Sequence, residues 1–402
     1  MILLNQRIGG DVMDIVIVSA VRTALGSFNG SLSTMPATSL GGLVIEDAVA
    51  RAGLAKDQVS ECIMGMVLPC GAGQNPAKQA AIKAGLPWEI EAFTVNKVCG
   101  SGLKAVMLAA QAIQCGDADI VVAGGMENMS QAPYFIRQAR FGLRMGPGKI
   151  EDHMVVDGLW DMVNDFHMGM SNELCCEKWG VDRETQDRYA AESYRRSILA
   201  IESGKFQEEI LTVDIPMKKG KTEPFNQDEC PVETSYDQLA AMKPAFKKDG
   251  VGTAGNASVI SDGASAVVLM SRKRANELGC EILATLGAQA SYGIDMKYVL
   301  MAPIHSIPKC LKKEGVNIED VDLFEINEAF SGSSAGINKV LGLDPNRVNV
   351  NGGSVALGHP IGASGCRVLV TLIHEMKRTS KKTGLASLCL GGGEAVSLIV
   401  KR

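Results

Sequence analysis

Cys99, His359 and Cys389 stand beside glycines in three well-separated segments of the 402-residue chain. A thiol is the strongest uncharged nucleophile a side chain offers, and it needs a proton acceptor, which imidazole supplies near neutral pH. Cys99 lies between a strand-like run, Phe93–Val98, and a helical one, in the turn Cys99-Gly-Ser-Gly102. That position aims the sulfur at the crevice where α/β proteins bind ligands, and the helix start should lower its pKa. His359 is one of five histidines and sits in Gly358-His-Pro360, a poor setting for a packed core residue. Cys389 ends an apolar run and precedes Gly391-Gly-Gly393, whose amides could form a nest for a developing oxyanion. Each signal has a bland alternative: a buried thiol, a structural loop histidine, a strand cysteine before a hairpin. His153 and His374 are assigned to such structural roles.

The elements that position these groups follow from periodicity. Asp14–Ser19 is a continuous apolar run suited to a buried strand. After Cys99, Leu103, Val106, Met107, Ala110 and Ile113 recur at helical spacing, Gly116 stops the helix, and Ile120–Ala123 returns as a strand ending at Gly124-Gly125. The C-terminal part repeats the plan. Val348–Val350 is a short strand; Cys366, Leu369, Leu372, Ile373 and Met376 mark a helix face; Leu385–Cys389 is a strand. The local match of Ser101–Val106 to Ser364–Leu369 points to two duplicated halves. Between them the texture changes. Residues 130–260 hold clustered Met and charged residues, a long helix from Asp182 to Ser203 capped by Asp182 and stopped by Gly204, and the basic run Lys218–Lys221. This region is expected to be an inserted lid. Ala264–Met270 then returns to the first half as a strand.

Composition bounds the function. With 46% hydrophobic and 21% charged residues and a net charge of −5, the chain is an ordinary globular one with no basic domain for nucleic acid. No run approaches the ~20 apolar residues that span a bilayer, and Ile2-Leu3-Leu4 is too brief for a signal-peptide core. Eleven cysteines, an odd number in a large chain, suit free thiols in a reducing cytoplasm. No Cys-x-x-Cys pair supports a metal. Residues 1–12 are read as an extension upstream of a fold that begins at Met13. A rival motif, Gly100-Ser-Gly102-Leu-Lys-Ala105, fits a dinucleotide fingerprint, but the next strand ends without the acid that a ribose requires.

Four ordered blocks together resemble the thiolase family: Asn96–Lys104, Asn327–Phe330, Asn351–Gly365 and Cys389–Gly393. The resemblance spans Met13 to Arg402 and implies an α/β thiolase fold, with two duplicated βαβαβαββ halves in a layered core and an inserted lid. The implied boundaries are 13–129 with 261–282 for the N-terminal half, 130–260 for the lid and 283–402 for the C-terminal half. It implies that Cys99 takes the acyl group, His359 accepts the thiol proton, and the amides of Cys99 and Gly391 hold the oxyanion. Cys389 then abstracts an α-proton, and His359 with a water on Asn327 holds the enolate oxygen. Phe166–Gly169 resembles the element of short-chain, biosynthetic-type members, so His167 and Met168 are carried over as pocket residues, Ser258 as a pantetheine contact and Phe246 as an adenine neighbour.

The reaction so implied is the reversible Claisen condensation of two acetyl-CoA to acetoacetyl-CoA and CoA, through an acetyl-cysteine. A degradative 3-ketoacyl-CoA thiolase acting on longer chains is the alternative. Coenzyme A is substrate and product, no other cofactor or metal is implied, no membrane or nucleic acid is a partner, and a homotetramer or homodimer is expected. Lys218–Lys221 could meet CoA phosphates or be solvated. Met301–His305, Glu394 and Pro231 depart from the family's pattern. A decarboxylating condensing enzyme would carry two histidines rather than Asn327 and Cys389, and a non-catalytic acyl-CoA binder would release no thiol.

Overall fold

The computed structural model describes residues 13–402, so the reading of residues 1–12 lies outside it. The strands that matter are β1 (Ile15–Thr23), β2 (Glu61–Gly65), β3 (Glu91–Val95), β4 (Ile120–Asn128), β5 (Ser261–Ser271), β6 (Ala284–Gly293), β7 (Leu323–Ile326), β8 (Thr383–Leu390) and β9 (Glu394–Lys401). They run in the order β7-β8-β9-β6-β1-β5-β4-β2-β3. The two ends of that order obey one plan. β2 pairs parallel with β4, then β5 and β1 follow antiparallel. β7 pairs parallel with β8, then β9 and β6 follow antiparallel. Within the sheet the halves are paired through Val16–Thr285 and Ile17–Ala284 on β1 and β6.

Alternation of side chains turns this sheet into layers. Val121 and Ala123 of β4 and Ala386 and Leu388 of β8 meet in one core. Ile120 and Val122 face the opposite way, onto α1 (Ala37–Arg51) and α2 (Pro76–Lys83). Leu385 and Ile399 likewise face α6 (Pro303–Glu314). The shared core holds two helices, α3 (Ser101–Cys115) and α8 (Ser364–Thr379), each supplying its apolar face. The result is helix, sheet, helix pair, sheet, helix. Leu369, Leu372 and Ile373 of α8 are fully buried, each contributing about 1.5–3 kcal/mol. The segment Val98–Cys115 is apolar enough to cross a membrane, but here it forms this core helix.

Two sequence expectations differ from the structure. β4 does not end at Gly124-Gly125 but continues to Asn128. A Cβ on Gly124 would lie 2.0 Å from the Ser265 carbonyl oxygen, and one on Gly125 2.1 Å from that of Gly362. Those glycines admit neighbouring backbones rather than break the strand. Val348–Val350 is not a strand; Val348 makes one isolated parallel bridge to Phe324, on the edge that β3 occupies in the other half. The long helix, α5 (Arg183–Glu202), is capped by Asp182, which accepts from the Thr185 amide, and Gly204 follows it with φ of 69°. Residues 130–260 contribute only Ile210–Leu211 to the central sheet, against β1.

The first turns of α3 and α8 also approach closely in the core. A Cβ on Gly102 would lie 2.7 Å from the Cys366 nitrogen, and one on Gly365 2.3 Å from the Leu103 nitrogen. Backbone cannot yield there as a flexible side chain could. Gly365→Ala should therefore lose about 3 kcal/mol of stability and more than a tenth of its activity should not survive at any temperature. Thermal unfolding and steady-state assay check this; wild-type melting would show that the helices do not meet there.

Candidate active site

The crossing of α3 and α8 brings the three groups of interest to one place. Cys99, His359, Cys389 and Gly391 line a single cavity of about 420 Å³, together with His167, Met168, Phe246 and Ser258. Val98, just before Cys99, has φ of 46°, an uncommon conformation for a β-branched residue. Two short bonds hold that turn: the Ser101 hydroxyl donates to the Val98 carbonyl at 2.6 Å and accepts from the Lys97 amide at 2.8 Å. Glu394 pairs with Lys97, so this departure from the family pattern braces the Cys99 turn from the opposite half.

The Cys99 thiol does not have the lowered pKa expected of a helix start. Burial pushes it up to about 11, and the amides of Gly391 and Cys99, which point at the sulfur, offset only part of that. The C-terminal half covers part of the turn, which leaves Cys99 half-buried and its thiolate poorly solvated. Cys389 is pushed higher still, by burial and by the nearby Cys99. His359 is held down to about 3, by burial first and then by the Arg367 charge. The resting site is therefore a neutral thiol beside a neutral imidazole.

The tautomer of that imidazole follows from its partners. The Ser364 hydroxyl donates to the Pro360 carbonyl at 2.9 Å and so can only accept from His359 Nδ1–H, at 2.6 Å. His359 Nε2 is then the unprotonated nitrogen, the base that a thiol needs. Asn327 Nδ2 stands 3.4 Å from Nε2, and its Oδ1 accepts from Ser354 at 2.7 Å. Asn327 is thus reached through His359 and does not itself line the cavity. The His359 amide donates to the Val259 carbonyl, and the Ser258 amide to that of Ala329, which threads the Ser258 segment between the Ala329 and His359 loops.

The other wall is aromatic. His167 stacks on Phe246 with centroids 5.3 Å apart, and Phe246 meets Phe330 edge-on at 5.6 Å. His167 Nδ1 accepts from the Gly169 amide as the cap of α4 (Met168–Trp179), which leaves Nε2 to carry the proton. A Cβ at Gly169 would strike the Phe246 ring at 2.0 Å, so this glycine is what admits the stack. Met129, Leu159, Ile361, Val299 and Leu300 complete the lining. Sequence reasoning missed these because their periodicity marks them only as core. It also missed Glu127, fully buried, which accepts from the amides of Val67, Leu68 and Gly362 and ties loops of both halves beneath Cys99. Burial raises that carboxyl to about 7. Lys218–Lys221 lies exposed at the turn of a hairpin, Val213–Pro216 with Thr222–Phe225. His153 bonds Asp157 and the Cys70 amide, and His374 the Ala20 carbonyl, both structural. Met301 ends in the core, and His305 stacks on Tyr292.

The family model described as "Thiolase, N-terminal domain" matches residues 15–273, and "Thiolase, C-terminal domain" matches 280–402. The chain belongs to the thiolase family. This thiolase is 54% identical over 392 residues to an acetyl-CoA acetyltransferase of Pseudomonas aeruginosa, covering 97% of this chain and all of that one. It is 53% identical over 390 residues to one of Cupriavidus necator, covering 97% and 99% of the two chains. The solved structure of the Bacillus anthracis acetyl-CoA acetyltransferase superposes with a TM-score of 0.95 at 40% identity, over 97% of this chain and 99% of that one.

The neutral resting pair of this thiolase has a measurable consequence. Alkylation of Cys99 by iodoacetamide should accelerate about tenfold per pH unit between roughly pH 7 and 9, because only the thiolate reacts. A rate already level above pH 6 would mean a preformed thiolate–imidazolium pair.

Proposed function

We propose that this thiolase is an acetyl-CoA C-acetyltransferase that condenses two acetyl-CoA reversibly through an acetyl group on Cys99. The observation that carries the reading is the convergence of two thiols, one imidazole with an unprotonated Nε2 and two inward amides on one cavity. In the first half-reaction Nε2 of His359 takes the Cys99 proton and the sulfur adds to the thioester carbonyl. The oxyanion is held by the amides of Cys99 and Gly391, the donors that face the sulfur in the free protein. The bond from carbon to the CoA sulfur breaks, and the imidazolium returns its proton to the departing CoA.

In the second half-reaction the Cys389 thiol gives its proton to Nε2 of His359, and the thiolate removes a proton from the methyl of a new acetyl-CoA. The enolate oxygen is held by the Nε2–H so formed and by a water on Asn327. The enolate carbon attacks the acetyl carbonyl, the bond to Cys99 breaks, the Cys99 sulfur takes the Nε2 proton, and acetoacetyl-CoA leaves. Coenzyme A is consumed and released as substrate, and no further cofactor enters. The pantetheine runs along Ser258 past Phe246. We place the protein in the cytoplasm, a setting that suits its eleven free cysteines. We also propose a homotetramer or homodimer. β3 is an edge strand with Trp88 and Phe93 exposed beside it, and Phe141 and Met145 project from the segment 134–150.

The longer-chain alternative is disfavoured by the wall itself. The stack of His167, Phe246 and Phe330 and the adjacent Met168 close the cavity beside the thiols. In CoA-dependent cleavage, kcat/KM should be highest for acetoacetyl-CoA and fall at least about 100-fold for a ten-carbon 3-ketoacyl-CoA, as expected when a pocket lacks room for several methylenes. Comparable efficiency on both substrates would establish the degradative reading instead.

A further inference from the structure

Arg367 lies in the first turn of α8, one turn beyond Ser364, and is 1% exposed. A buried guanidinium normally has its donors paired, because desolvating the charge is costly. Here Nε and Nη1 are buried without a partner, and the bond the side chain does make is from Nη2 to the Ser354 hydroxyl, at 3.0 Å. A guanidinium can only donate, so Ser354 must accept there and spend its own proton on Asn327 Oδ1, at 2.7 Å. That orientation fixes the Asn327 amide with Nδ2 toward His359. The order of donation, Arg367 to Ser354 to Asn327, is thus imposed from the arginine end.

We propose that Arg367, through Ser354, is a positioning residue for the Asn327 amide in the proton-abstraction half-reaction. The inference rests on the function proposed above. The same helix turn orients both partners of the enolate oxygen: Ser364 fixes His359 directly, and Arg367 fixes Asn327 at one remove. The buried charge also helps keep His359 neutral. Acylation of Cys99 uses other donors, the amides of Cys99 and Gly391, which this chain of bonds does not touch. Retention of an under-paired charge at this point, rather than an apolar side chain, is what a role in orientation explains. Glu325, Glu209 and Asp228 attract Arg367 from a distance and make its burial tolerable.

The test separates the two half-reactions in Ser354→Ala, Arg367→Met and the double variant. Acetyl transfer from acetyl-CoA to Cys99 is followed by intact mass, and α-proton exchange by deuterium uptake into acetyl-CoA. Acetylation should stay within about threefold of wild type, while exchange falls about 10–100-fold, the usual effect of removing an outer-shell partner. The double variant should fall no further than the worse single one, since both residues act along one path. Parallel loss of both half-reactions, undiminished exchange, or multiplying losses would each overturn the proposal. Ser354→Ala decides alone where Arg367→Met does not fold. Wild-type protein that neither acetylates Cys99 nor exchanges would overturn the proposed function itself, an outcome distinct from selective intactness of the variants.

Discussion

The contact between the glycine turns of α3 and α8 sets everything else. Each helix begins at the end of a loop that carries chemistry, Cys99 before α3 and His359 before α8. Placing Gly102 against the Cys366 amide and Gly365 against the Leu103 amide brings those loops together across the seam between the halves. Any side chain at either position would hold the helix starts apart. The layers serve this contact: each sheet presents one apolar face to the helix pair and the other to outer helices, so the pair is clamped from both sides. Duplication alone does not account for the two thiols. β4 and β8 hold equivalent places in the two halves, yet Cys99 follows β3 in one half while Cys389 lies near the end of β8 in the other.

Burial at this seam has an electrostatic consequence. Cys389 and His359 are buried and Cys99 is half-buried, and all three rest uncharged. Charge therefore appears only as the reaction creates it, and it appears beside groups already in place. The amides of Gly391 and Cys99 face the Cys99 sulfur, and Asn327 Nδ2 stands behind His359 Nε2. Such an arrangement needs no reorganisation of solvent. It does require that each donor be held from behind, which Ser364, Ser354 and Arg367 do with bonds whose directions are all determined by what each group can donate.

The legibility of these features in the sequence depended on range. Cys99, His359 and Cys389 stood out because glycines beside them define local turns. The capped helix after Asp182 and the strand around Ala264–Met270 were legible for the same reason. Asn327 emerged only through resemblance, since nothing local distinguishes it, whereas Gly391 was legible as the start of a glycine turn after Cys389. Glu127, Ser354 and Arg367 were invisible: their importance lies in partners up to 235 positions away. The lowered Cys99 pKa was misjudged because a helix start acts over one turn, whereas the covering half that desolvates the sulfur is remote in sequence. Glycines at 124 and 125 looked like a strand end because their crowding by Ser265 and Gly362 is tertiary.

The central claim is that two thiols on one cavity divide the work, Cys99 carrying the acyl group and Cys389 moving the proton. Intact mass and deuterium uptake in Cys389→Ala test it together. The account predicts stoichiometric acetylation, mapped to Cys99, with no exchange of the acetyl-CoA methyl protons into deuterated solvent. Exchange that persists without acetylation, or acetylation mapped to another cysteine, would contradict it.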